Sequence, residues 1–443
     1  MRRSSTIQLS CLALAGFTAV CMAIAQEPFA FPSAKDLDRA YNDTSKRRNE
    51  ILRGESGAAV KGDDKVAEAA AQYYVYRLAH VGTFTDPAKN DPAKLQKEFE
   101  YFADEVARAK SDGAKKFAAQ LAPHFVTSMK QILDRDIRME SQFIIVGSMM
   151  LPALARLRQE KSNDYIIELV QNPKIHVAVR LNALKALRES MPISPIDDDT
   201  DFDIKGLIAR IDFDVKNVAA LSKFIDQPAK ANGLPAEDPA VVQFVRREAI
   251  MSLAQAGAPA VAALKKKVVV KAAKREFLLD GLAAPTLLRV LAEKLDPPPS
   301  LQEKLEAAHG VCNLKYPKMP EYNPDVAIYL VGRTMEDLVK DYNQDLVNFA
   351  GGGEVKRLPT IGYKTEAKRF QIALTNLADA AKNTPAKANA DKLNNAFKQL
   401  FINMSQYEST NQTNLNDAVK VINSIRPKDG QIFRNAKIAV ALQ

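Results

Sequence analysis

Asn172–Leu187 reads NPKIHVAVRLNALKAL, and Asp238–Leu253 reads DPAVVQFVRREAIMSL. Aligned without a gap, both give Asn/Asp-Pro, five residues, Val-Arg, two residues, Ala, three residues and Leu. A self-similar unit of this kind fixes architecture before any residue carries chemistry. In each copy the Asn or Asp is suited to cap a helix, accepting hydrogen bonds from orphan backbone N–H groups. The Pro suits the first helical position, where a missing N–H costs nothing. Ile175/Val241, Val179/Val245, Ala183/Ala249 and Leu187/Leu253 then fall on one ridge at steps of four. The Ala is a thin point at which a neighbouring helix can approach closely. The pattern predicts stacked helix pairs.

Downstream, the second copy continues as AGAPAVAAL over 256–264, where Gly257 can end one helix and Pro259 open the next. Val-Arg-x-x-Ala-x-x-x-Leu, then Gly and a Pro-Ala-Val-x-x-Leu helix, resembles the HEAT repeat and its armadillo and phycobilisome-lyase-like relatives, here of a secreted bacterial type. The resemblance covers residues 145–290. It implies that the repeated arginine, Arg180 and Arg246 here, pairs with polar groups between adjacent repeats. It also implies a scaffold class that binds partners and carries no particular reaction. The copies lie 66 residues apart, longer than the ~40–47 of a HEAT unit. The excess sits in two inserts, Met191–Asp203 and Asp226–Glu237.

The rest of the chain reads as helix. A polar helix is expected over Ala34–Gly54, an Ala-rich one over Lys65–Val81, and two more over Asp91–Lys110 and Gly113–Leu133. In the third of these, Leu95, Phe99, Phe102 and Val106 recur at helical spacing. Gly147 and Pro152 predict a break or kink within Arg138–Leu157. A short helix over Asp164–Gln171 would be capped by Ser162 or Asn163. Phe202/Ile204 and Ile211/Phe213/Val215 alternate as a hairpin would, but helical spacing returns over Val215–Ile225. After the Pro-rich break at 296–300, a helix over Leu301–Asn313 follows, capped by Ser300. A long helix spans Asp325–Phe349 and ends at Gly351–Gly353, and three more fall near 364–383, 388–406 and 412–425. The expected fold is all-α, an irregular HEAT-like α-solenoid flanked by N- and C-terminal helical segments. Its regions are a signal peptide (1–25), an N-terminal helical region (26–134), the HEAT-like repeats (135–295), Pro-rich connectors with a short helix (296–324), and a C-terminal helical bundle (325–443).

Arg2 and Arg3 precede a mostly apolar stretch in which Ala23 and Ala25 form an A-x-A cleavage site. Export with cleavage after Ala25, to the periplasm or beyond the cell, is the expectation. The 443-residue chain carries a net charge of +9, which becomes +7 without Arg2 and Arg3. In an exported protein that surplus points to anionic envelope polymer or lipid before nucleic acid, which is not expected. Cleavage would leave Cys312 as the single cysteine, excluding an internal disulfide. The longest uncharged apolar run, Phe143–Ala155, is 13 residues, shorter than the ~18 needed to span a bilayer, so no transmembrane helix is expected after cleavage.

Catalytic and cofactor motifs are missing from the sequence. There is no Gly-x-Ser-x-Gly, no His-Glu-x-x-His and no Cys-x-x-Cys-His. His309 and Cys312 share a helix face, but two ligands without a second pair make no zinc site; a packing thiol is the alternative. Asp199, Asp201 and Asp203 alternate as in a calcium loop, yet Ile204 and Arg210 stand where an EF-hand needs Gly and Glu, leaving an ad hoc calcium site or a solvated acidic loop. Lys265, Lys266, Lys267, Lys271, Lys274 and Arg275 make a basic run, either a polyanion patch or a solvated helix face. The tyrosines at 73, 74 and 76 could pack in the core or stack on a ligand. No cofactor is expected. The function expected is a non-enzymatic scaffold binding another envelope or secreted protein. Anionic polymer or lipid binding through the basic run, or an enzyme with a site between helical domains, are the alternatives.

Overall fold

The computed structural model describes residues 32–54, 63–80, 91–108, 111–133, 141–190, 216–255, 283–313, 323–350, 362–382, 384–405 and 414–428. These residues are helical with short connections, and no strand occurs among them. Helices α1 (Ala34–Asp43), α2 (Ser45–Leu52), α3 (Asp63–Ala79), α4 (Pro92–Arg108) and α5 (Asp112–Leu133) form the N-terminal part. Next come α6 (Ser141–Arg156), α7 (Glu160–Gln171), α8 (Val177–Ser190), the helical residues 216–226, α9 (Pro239–Gln255) and the helical residues 283–291. The chain continues with α10 (Leu301–Asn313), α11 (Pro324–Ala350), α12 (Tyr363–Ala380), α13 (Lys387–Ser405) and α14 (Asn416–Ser424).

Packing passes from neighbour to neighbour. Helix α3 packs on α5, α5 on α7, α6 and α7 on α8, α8 on α9, α9 on α10, α10 on α11 and α12, α12 on α13, and α13 on α14. The apolar stripes explain this. Leu95, Phe99, Phe102 and Val106 of α4 are all buried, as are Val179, Ala183 and Leu187 of α8 and Val245, Ala249 and Leu253 of α9. One apolar core runs through the described helices.

Several helix boundaries differ from the sequence expectation. The polar stretch 34–54 is two helices, broken at Thr44, whose hydroxyl donates to the carbonyls of Ala40 and Tyr41. Helix α6 runs unbroken through Gly147 and Pro152. Gly147 instead marks a close approach, since a Cβ there would meet Val179 at 3.2 Å and Leu133 at 3.3 Å. Helix α7 starts at Glu160, so Ser162 and Asn163 lie buried inside it and do not cap it. The two repeat copies also begin differently. Asp238 Oδ1 accepts from the N–H groups of Ala240 and Val241, and Pro239 opens α9. Asn172 closes α7 and forms a local turn to Lys174, and α8 begins only at Val177. The cap of α8 is His176, whose Nδ1 accepts from the Ala178 N–H at 3.2 Å.

Helix α10 carries a reciprocal cap: Ser300 Oγ accepts from the Glu303 N–H, and Glu303 Oε2 accepts from the Ser300 N–H at 2.7 Å. The tyrosine cluster belongs to the N-terminal core. Tyr74 is buried among Phe99, Phe102 and Phe125, and its hydroxyl meets that of Tyr41 at 2.7 Å.

Candidate functional site

Arg180 has no exposed surface, yet among the described residues no carboxylate bonds its guanidinium. It donates to the Val170 carbonyl at the end of α7 and to the Asn232 carbonyl in the loop before α9. Burial lowers its pKa to about 10. The loop reaches it because Gly233 has φ +63°; a Cβ there would lie 2.5 Å from the Pro173 carbonyl oxygen. Arg246, at the same place in the second copy, is bidentate to Glu303 of α10 at 2.6 and 3.3 Å and donates to the Pro297 carbonyl.

A third copy of this arrangement lies downstream. Asp296-Pro297, five residues, Glu303-Lys304, two residues, Ala307, three residues and Val311 repeat the same spacing. Lys304 takes the arginine position, is buried, and bonds Glu293 and Asp337 of α11 at 2.7 Å each. Each buried cation thus ties its own helix pair to the next. The sequence signal for the third copy was present in its spacing; Lys in place of Arg, and Pro298, Pro299 and Ser300 after the Asp-Pro, concealed it.

A polar ladder crosses the half-exposed stripes of α8, α9, α10 and α12. Arg188 of α8 lies 2.6 Å from Glu248 of α9. Arg247 of α9 bonds Gln302 and Glu306 of α10, both at 2.9 Å. Glu306 takes a second guanidinium, Arg369 of α12, at 2.7 Å. Asn376 of α12 bonds Asn313 of α10 at 3.2 Å. Burial alone would raise the Glu306 carboxyl, but the hydrogen bonds and charges of Arg369 and Arg247 outweigh it and hold it below the ordinary carboxylate range. Glu248 and Glu366 are raised, chiefly by burial. Two large apolar side chains flank the ladder on its own helix stripes, Phe244 of α9 at 62% exposed and Ile372 of α12 at 66%.

Buried Cys312 faces the core, and desolvation raises its thiol pKa. His309 stands edge-on to Phe370 beside Asn313, and burial lowers its pKa to about 4. Among the described residues no three His, Cys, Asp or Glu side chains are grouped to hold a metal, and no helix is long and apolar enough to cross a membrane. The acidic stretch with Asp199, Asp201 and Asp203, the basic run from Lys265 to Arg275, the glycines at 351–353 and the N-terminal stretch expected to be a signal peptide lie outside the described residues. Phe244, Arg247, Glu306, Arg369 and Ile372 escaped the sequence reading, because the ladder is assembled from four helices and has no local motif. No protein-family model matches the chain, and neither a curated protein nor a solved structure matches it.

Proposed function

We propose that the chain is an exported, non-enzymatic binding scaffold whose HEAT-like superhelix engages a protein partner through the ladder face. The observation that carries this reading is the pairing of Phe244 and Ile372 with the ladder between them. Large apolar anchors beside arginines are the composition of interface hot spots. Arg247 and Arg369 are both tied to Glu306, so a partner meets positioned guanidinium groups and not a set of mobile charges. The three cation ties support a superhelical stack, since each holds one helix pair against its successor. The A-x-A site at Ala23 and Ala25 supports export.

A photo-crosslinking amino acid placed at position 244 or 372 in the native host tests this. The same discrete adduct from both positions, and none from an equally exposed aromatic position on α4, Tyr101, is the expected result. Equal labelling from position 101, or no adduct from either ladder position, would sink the reading.

A further inference from the structure

The N-terminus of α11, the start of α13 and the end of α14 line a cleft of about 250 Å³. Asn323, Asp325, Asn389, Ser424, Arg426 and Lys428 line it. Asp325 is held in place: its N–H donates to Asn323 Oδ1 at 3.3 Å, and its Oδ1 accepts from Asn389 Nδ2 at 2.9 Å. Asp325 Oδ2 and Asn389 Oδ1, in residues that line the cleft, have no protein donor among the described residues. Ser424 spends its proton on the Val421 carbonyl at 2.7 Å, so its oxygen also offers lone pairs.

The cations differ from the others described so far. Arg180, Arg246, Arg247, Lys304 and Arg369 each bond acceptors within the protein. Among the described residues, the side chains of Arg426 and Lys428 have no hydrogen-bond or ion-pair partner, and both line the cleft. The site therefore combines two free cations and the positive end of a 27-residue helix with an oriented carboxylate and carboxamide. A simple anion would use the first group and be repelled by the second. A neutral polyol would use the second group and leave the cations without a counter-charge. A small molecule carrying both an anionic head and hydroxyl groups uses both at once, its hydroxyls donating to Asp325 and Asn389 and its anionic head reaching Arg426 and Lys428. The volume, equal to about eight waters at ~30 Å³ each, suits one such unit.

We propose that this cleft binds a hydroxylated anion the size of one sugar acid or sugar phosphate, at a place separate from the ladder face. Isothermal titration calorimetry on the full chain tests it with glucuronate, glucose 6-phosphate, glucose and inorganic phosphate. Glucuronate or glucose 6-phosphate should give saturable heats, the stronger of the two naming the anionic head. Glucose and inorganic phosphate should bind about tenfold more weakly or less, each lacking one half of the recognition. The double variant Arg426→Ala/Lys428→Ala should lose about tenfold or more in affinity at an unchanged melting temperature, since both side chains are exposed. Asn389→Ala should weaken the hydroxylated anions and leave inorganic phosphate where it was. Absence of saturable heat from both hydroxylated anions overturns the proposal, as does binding that survives the double substitution, or phosphate binding as tightly as the sugar anions.

Discussion

Arg246 makes a bidentate contact to a carboxylate with no exposed surface, so its loss would strand a buried charge. Removing one member of such a pair typically costs more than the pair itself contributes. Arg246→Ala should therefore destabilise by on the order of 3 kcal/mol, read from urea denaturation midpoints. Arg180→Met should cost less, because it strands only the Val170 and Asn232 carbonyls, at roughly 1–2 kcal/mol. His309 adds a pH dependence. Its folded pKa, about 4, lies below its ordinary value of 6.5, so the fold favours the neutral ring. The unfolded chain takes up the proton first, and stability falls as pH drops from about 6.5 to about 4, then levels. Buried Glu248 and Glu366, whose pKa values are raised, act in the opposite sense, gaining stability as pH falls. Comparing His309→Gln with the parent isolates the histidine contribution. Thermal melts between pH 7 and pH 4 should show a shallower decline in the variant.

Between elements, Gly310 of α10 makes a close approach to α9. A Cβ there would lie 2.7 Å from Ala254 Cβ and 2.9 Å from its Cα. Gly310→Ala should force α9 and α10 apart and cost about 1–3 kcal/mol, measurable as a lower denaturation midpoint. Such contacts mark how far the sequence can be read. The stripe of α4 and the cap of α10 were legible because both are local: helical spacing in one case, Ser300 and Glu303 three apart in the other. The start of α8 was not, since Asn172-Pro173 has the same appearance as Asp238-Pro239 and yet forms a turn. The loop at Asn232 and Gly233 packs there, Gly233 against Pro173, and its bond from Arg180 spans 52 residues. The burial of Ser162 and Asn163 was hidden for a like reason, because their usual preference for caps yields to the packing of α7 against α5 and α8. The ladder was legible only as separate charged residues. Its partners sit 55 to 63 residues apart.

Across the described helices, packing that passes between neighbours predicts that stability is local. Loosening α9 against α10 with Gly310→Ala should accelerate amide hydrogen exchange in those two helices and in α8 and α12, which pack on them, while α3 and α5 keep their protection. Uniform acceleration across the chain would instead indicate one cooperative unit. The three buried cations bear on how a chain of similar helix pairs finds its order during folding. Among the described residues Arg180 donates to carbonyls alone, Arg246 to a carboxylate and a carbonyl, and Lys304 to two carboxylates. Pairs that resemble one another can dock out of sequence, a characteristic failure of repetitive chains. Here a pair joined to the wrong neighbour would bury a positive charge without its matching acceptors. Such misdocked arrangements should be raised in energy relative to the native one, because each would strand a buried cation.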